Sequence, residues 1–234
     1  MNFWKVTMKR SIRLSRTYVI LGIAMSIYGT VIANMLSFIP TDSVTPANIP
    51  IDLMNSFPFL SVAILSFSAL LFSLPVVMLF VYDKNNGVLE YLLSTGLDQF
   101  DVFNGYVKAS LTLATYLLIF SNILNTIIGL YLRTSLTLLA SMVVLTFAIG
   151  ISEVFLVTIF MMAFSSLQKT PMGANQPLGV IIGIIPMFPA LILPIIFPSH
   201  AIIIDISIAI VTIIVSLVLL LSISRLILKE KLLP

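Results

Sequence analysis

Apolar residues in this chain come in long unbroken runs, without the alternation of a strand or the one-sided stripe of a surface helix. Six runs are long enough to cross a bilayer: Thr17–Ile39, Pro58–Tyr82, Ala109–Tyr131, Ser135–Ser165, Leu178–Phe197 and Ala201–Leu228. A helix rises about 1.5 Å per residue, so roughly 20 apolar residues cover about 30 Å of hydrocarbon. The fourth run is long enough to tilt or to extend past the membrane. The pattern predicts an all-α integral membrane protein, with a six-span transmembrane domain over residues 17–234.

Two segments outside the runs carry pattern of their own. At about 100° per residue, residues 1–16 place Phe3, Trp4, Met8, Ile12 and Leu14 on one half of a helix. Lys5, Lys9, Arg13 and Arg16 fall on the other half. This predicts an amphipathic helix lying in the headgroup layer, with Trp4 in the acyl boundary and Lys5, Lys9 and Arg13 facing anionic lipid. The second segment is the connection 83–108. Lys84-Asn85-Asn86-Gly87 reads as a turn with a positive φ at Gly87, Val88–Ser94 as two helical turns, and Gly96 as their stop. Asp98 then caps a further helix, with Asp101 in its first turn and Leu97 and Val102 spaced as a hydrophobic staple. Two turns are too few to stand alone in water. The apolar side chains of Val88, Leu89, Tyr91, Leu92 and Leu93 therefore need a surface to dock on.

Composition and charge sharpen this picture. Hydrophobic residues make up 59% of the 234 positions and charged residues only 9%, against about 25% charged in soluble domains. Lipid must be the main solvent, and six spans leave no room for a separate soluble domain. Of the 12 Lys and Arg, the N-terminal segment, the second and fourth connections and the C-terminal end hold 11. Only Arg133 falls on the other side. Under the positive-inside rule both termini are cytoplasmic, in a multi-pass protein of the cell membrane. A cleaved signal peptide is not expected, because the first run is too long and Asn34-Met35-Leu36 is not a small-x-small site. The net charge of +3 gives no reason to expect nucleic acid.

Candidate chemistry is sparse. The chain has no cysteine and one histidine, His200, so no metal site and no catalytic residues are expected. Within the runs, Glu153 is an ionisable group where ionisation costs roughly 2.5–3.5 kcal/mol. Its alternatives are a pathway carboxyl and a structural one bonded between helices. Asn122 and Asn125 share a helix face and can bond across helices. Gly22, Ser26, Gly29 and Ala33 form a small-residue stripe suited to close packing, within the bundle or at a dimer seam. Pro186, Pro189, Pro194 and Pro198 cannot all sit in one straight helix. They predict a broken or re-entrant segment over 186–199, with Pro186, Pro189 and Pro194 joining Asn122, Asn125 and Glu153 as pathway or gate candidates. Pro75 is a candidate kink in the second span.

The stretch Asp83-Lys-Asn-Asn-Gly-Val-Leu-Glu-Tyr-Leu-Leu-Ser-Thr-Gly96 resembles acidic-x-x-x-Gly-Thr-Leu-Glu-x-Leu-Leu-x-x-Pro. That is a pattern of the membrane permease subunits of type-2 ATP-binding-cassette (ABC) exporters. Val88 stands where Thr is usual and Gly96 where Pro is usual. Asn104-Gly105-Tyr106-Val107-Lys108-Ala109 is loosely similar to the family's Gly-Lys-x-x-Ala before the third span. The order of parts is also similar, from basic amphipathic helix to two spans, helical loop and four spans. The resemblance implies a transport subunit that is not itself an enzyme, and no phosphate-cradling G-x-x-x-x-G-K-Ser/Thr run occurs. It implies no cofactor on this chain, with ATP and Mg held by cytoplasmic ABC ATPase subunits. It also implies a second permease copy, identical or related, surrounded by membrane lipid. Gly87, Val88, Leu89, Glu90, Tyr91, Leu92 and Leu93 would form the coupling helix that grips the ATPase, with Glu90 paired to a basic group there or on the N-terminal helix.

Two other readings fit parts of the pattern. An ATPase-independent secondary transporter or channel fits the spans, but no internal repeat is seen and Glu153 is the one intramembrane charge noted. A non-transport membrane scaffold would use the coupling-like loop only as a contact.

Overall fold

Helices follow one another through the whole of residues 3–36, 51–164 and 188–226, the parts of the chain that the computed structural model describes. They are α1 (Phe3–Leu14), α2 (Arg16–Leu36), α3 (Ile51–Asn85), α4 (Val88–Ser94), α5 (Gln99–Tyr131) and α6 (Leu136–Phe164). A helical stretch over 188–196, here α7, leads through a 3-10 turn at Pro198–His200 into α8 (Ala201–Leu226). No strand occurs among the described residues. Four helices, α3, α5, α6 and α8, are long and apolar enough to cross a membrane. A fifth span is reached when α1 and α2, bent by 88° at their junction, are taken together. The chain is a multi-pass helical membrane protein. Much of the fifth predicted run, Leu178–Phe197, lies outside the described residues, as does Pro186.

α3 is the hub, packed by α2, α5 and α6. Its buried Leu70, Leu74, Val76 and Phe80 contribute to two core clusters shared with α5 and α6. Gly22, Ser26 and Gly29 of the small-residue stripe are buried inside the bundle, and the two glycines face α3. A Cβ on Gly22 would lie 2.9 Å from that of Phe72, and one on Gly29 would lie 2.3 Å from Ile64. These glycines let two backbones approach where lipid gives no hydrophobic drive to hold helices together. That placement removes Gly22 and Gly29 from the lipid-facing surface, where a dimer seam would need them. α8 is peripheral, with Ile203, Ile210, Val211, Val218 and Leu221 exposed.

Hydroxyl groups in the spans are mostly returned to the backbone of their own helix. Ser66, Ser68 and Ser73 donate to the carbonyls of Val62, Leu65 and Leu70, which satisfies them without water. Between helices, Ser110 and Thr158 are 2.8 Å apart, and Ser216 donates to the carbonyl of Ser152 at 3.0 Å.

α3 extends past its apolar run to Asn85, through Pro75, and the helix that follows Asp98, α5, begins at Gln99 and runs without a break into the third run. Asp83 is paired within the bundle, and Gly105 accommodates the Phe3 ring inside α5.

Candidate functional site

Where α3 ends and α5 begins, three helices meet on one carboxylate. Arg10 of α1 donates to Asp83 of α3 through both guanidinium nitrogens, at 2.7 Å to Oδ1 and 3.1 Å to Oδ2. The Tyr106 hydroxyl of α5 donates to Oδ2 at 2.6 Å. Asp83 is fully buried while the Arg10 side chain is 41% exposed, so the cation reaches in from the edge. Parallel N–H···O bonds of this kind fix orientation as well as distance. The Tyr106 ring is held edge-on by Phe3, at 5.6 Å and 76°, and by Phe80, at 5.2 Å and 84°.

α1 is seated by small residues on both sides. Thr7 and Ser11 are its buried positions, and their hydroxyls bond back to Phe3 and Met8. Opposite them, a Cβ on Gly105 would run into the Phe3 ring, so the glycine lets that ring seat closely against α5. The cationic face points away from this seat. Lys5, Lys9 and Arg13 are exposed, Trp4 is half-buried, and Lys5 Nζ lies 5.5 Å from the Trp4 ring centroid.

Four residues beyond Asp83 the chain turns at Gly87, whose φ of 70° is cheap only for glycine. α4 follows, closed by Gly96 at φ 88°, whose N–H donates to the Leu93 carbonyl at 3.2 Å. Leu89 is the buried side chain of α4 and joins the core cluster of Phe80, Val102 and Tyr106. Val88, Leu92 and Leu93 are half-buried, with Leu92 and Leu93 packed on that cluster. Glu90 is exposed, and Tyr91 is 68% exposed. The element is thus pinned by Leu89 and turns Tyr91 outward. Leu89 itself is closed to any partner, because its side chain is already core. Among the described residues no ion pair joins Glu90 to α1, whose Arg10 pairs with Asp83. Past Gly96, Leu97 and Phe100 are also exposed. Asp98 occupies the N-cap of α5 but its side chain makes no cap bond. Leu97 is exposed and Val102 is buried.

A second polar region lies inside the bundle. Asn125 accepts from Asn34 Nδ2 of α2 at 2.7 Å, whereas Asn122 donates to the Leu118 carbonyl of its own helix. Glu153 is buried, and both its oxygens lack a hydrogen-bond partner among the described residues. Asp205, one turn into α8, is in the same condition. The spans therefore contain a second carboxyl besides Glu153. Pro189 and Pro194 both lie in helical α7, half-buried and buried, and the break falls later, at Phe197 and the 3-10 turn.

Sequence reasoning gave no role to Arg10 or Asp205, met Tyr106 only inside a motif, and met Asn34 only in a rejected cleavage site. A signal existed for Asp205, a lone acid in an apolar run. None existed for the 73-residue separation of Arg10 and Asp83. In comparisons with known proteins, no family model, curated protein or solved structure matches the chain.

Proposed function

We propose that this chain is the membrane permease subunit of an ABC exporter. In this reading it forms a substrate pathway with a second permease copy and is driven by separate cytoplasmic ATPase subunits that hold ATP and Mg. The observation that carries the proposal is the two-turn helix α4. It is bracketed by glycines with positive φ, fixed to its own bundle by Leu89, and turns Tyr91 outward. A helix of seven residues gains little from its own hydrogen bonds. Presenting an aromatic side chain from a rigid seat is what a mechanical contact requires.

The rest of the reading follows from that contact. The protein would have six spans in the cell membrane with both termini cytoplasmic, and α1 would lie in the inner headgroup layer. Arg10, Asp83 and Tyr106 would tie α1 and α5 to the helix end that bears α4, so a push on α4 would be shared by three elements. The permease must bind the ATPase differently in its two states, since a partner can shift an equilibrium only by its differential affinity.

The test is purification of the tagged chain from its native membranes, with the co-purifying proteins identified by mass spectrometry. Tyr91→Asp should abolish recovery of a phosphate-loop ATPase while the permease itself stays folded. Full recovery with that variant would remove the coupling assignment.

One observation favours a second reading. Glu153 and Asp205 are buried carboxyls without partners among the described residues, and intramembrane acids of this kind mark ion-coupled secondary transporters. Transport that persists when ATP hydrolysis is blocked by vanadate would favour it.

A further inference from the structure

The buried side chains of α8 among the described residues are Ala201, Asp205, Ala209, Thr212 and Ser216. All are small or polar, and their spacing of three or four residues puts them on one face. Ala201 and Ala209, one turn to either side of Asp205, belong to a cluster with Phe59 and Val62 of α3 and Met142, Leu145 and Ile149 of α6. Asp205 therefore enters hydrocarbon. It is fully buried, and neither of its oxygens has a hydrogen-bond partner among the described residues. α6 and α8 run in the same direction, since Ser216 bonds the Ser152 carbonyl while Ala209 clusters with Leu145. Ser216 lies eleven residues beyond Asp205, about 16 Å along the helix at 1.5 Å per residue. Glu153, next to Ser152, is accordingly too deep in the bundle to share a proton with Asp205.

We infer that Asp205 is a reversible proton-binding site, neutral while α8 is seated and ionised only when this end of α8 parts from α3 and α6. A carboxylate without partners in hydrocarbon costs far more than the neutral acid. The ionisable groups of the elements around it stand elsewhere among the described side chains. Glu153 of α6 is deeper, Tyr82, Asp83 and Lys84 are at the far end of α3, and His200 is exposed and bonded to Ser199. A metal cation would need several oxygen ligands, whereas the cluster supplies apolar side chains. A proton needs only the carboxyl itself. Water reaches that carboxyl when the seam opens, so ionisation and opening favour each other by the same free energy. The inference goes beyond the coupling reading and holds with or without an ATPase.

The experiment uses the full chain in lipid vesicles. Infrared difference spectra between the chain and Asp205→Asn should show, at neutral pH, the carbonyl stretch of a neutral carboxylic acid that the variant lacks. Seam opening is read on Thr212→Cys, a buried position in a chain with no other thiol. Its labelling by a water-soluble maleimide is divided by that of Thr212→Cys with Asp205→Asn at the same pH, which cancels the ionisation of the thiol itself. The ratio should rise on the order of tenfold from neutral to alkaline pH. Should the asparagine variant not assemble, Asp205→Leu takes its place as the reference. Absence of the acid band at neutral pH overturns the proton site. Loss of the band on adding sodium at fixed pH overturns it too, in favour of a metal cation. A band with a labelling ratio that stays flat overturns the link between proton and seam. None of these outcomes bears on recovery of an ATPase, which tests the coupling reading separately.

Discussion

Arg10 and Asp83, 73 residues apart in sequence, close on each other through two hydrogen bonds of 2.7 and 3.1 Å. The arrangement is asymmetric. The carboxylate is fully buried and the guanidinium is partly solvated. Removing the arginine therefore strands an acid that has no access to water. Arg10→Ala should lower stability by about 1–3 kcal/mol, the cost of leaving a buried acceptor short of partners. Arg10→Lys should recover only part of it, because an ammonium cannot make the paired contact. Adding Asp83→Asn to Arg10→Ala should cost less than the two single losses combined. Thermal unfolding of the four proteins in one detergent measures the cycle.

Tyr106 contributes to the same joint in two separable ways, through its hydroxyl and through its ring. Tyr106→Phe removes the bond to Asp83 but keeps the edge contacts to Phe3 and Phe80. It should cost about 1–2 kcal/mol, since Arg10 still serves the carboxylate. Tyr106→Ala empties a fully buried position and should cost about 3–5 kcal/mol. Equal losses for the two variants would mean that the hydroxyl, not the packing, holds α5 in place.

Leu89 and Tyr91 lie two residues apart on α4 and should respond in opposite ways. Leu89 is 1% exposed and Tyr91 is 68% exposed. Leu89→Ala should lower stability by about 2–4 kcal/mol. Tyr91→Ala should stay within about 0.5 kcal/mol of the parent and lose the partner. Co-purification and melting temperature, read on the same preparations, separate anchor from contact. A Tyr91 variant that melts early would place that ring in the core after all.

How far the sequence reveals this arrangement depends on the range of each interaction. The turns at Gly87 and Gly96 are local, and their positive φ was legible from residue type alone. The long apolar runs announced the long apolar helices α3, α5, α6 and α8 for the same reason. The ends of those runs were not legible, because they depend on distant partners. Asp83 looked like the first residue of an aqueous connection, whereas Arg10 and Tyr106 hold it inside the bundle. Gly105 looked like part of a motif, whereas its lack of a side chain serves the Phe3 ring across the α1–α5 contact. The amphipathic division of α1 found its cationic face. It gave no hint that the small residues Thr7 and Ser11 would be the ones buried.

Glu153 offers a test of role through stability. Its oxygens have no hydrogen-bond partner among the described residues. Replacing it by an apolar side chain of similar length thus forfeits no bond and removes a desolvated polar group. Glu153→Met should leave stability unchanged or raise it. If transport falls while stability holds, the carboxyl serves the pathway. If stability falls instead, Glu153 has a structural partner and its place among the pathway candidates is lost.

Gly105 can be tested by size. A Cβ there would meet the Phe3 ring at 2.2 Å, and a rotation of that ring relieves one methyl more easily than a branched chain. Gly105→Ala should therefore be tolerated better than Gly105→Val. The valine should unseat α1 and expose Trp4 to water, shifting its fluorescence to the red. Trp4 is the only tryptophan in the chain, so the signal needs no deconvolution.

The proposed orientation has a clean chemical test, because the chain contains no cysteine. Thr95 follows α4 and Ser135 precedes α6, and both are exposed. They lie at opposite ends of α5, whose 33 residues span about 50 Å at 1.5 Å per residue. A helix of that length carries its two ends to opposite faces of a bilayer. In intact cells, a membrane-impermeant maleimide should label Ser135→Cys and spare Thr95→Cys until the membrane is opened. The reverse pattern would invert the protein and place α4 outside, out of reach of any ATPase. Labelling of both sites would show that α5 does not span at all. The positive-inside bias predicts the first result with one further consequence. Arg133 is the lone cation on the outer side in that orientation, so Arg133→Gly should leave the labelling pattern unchanged.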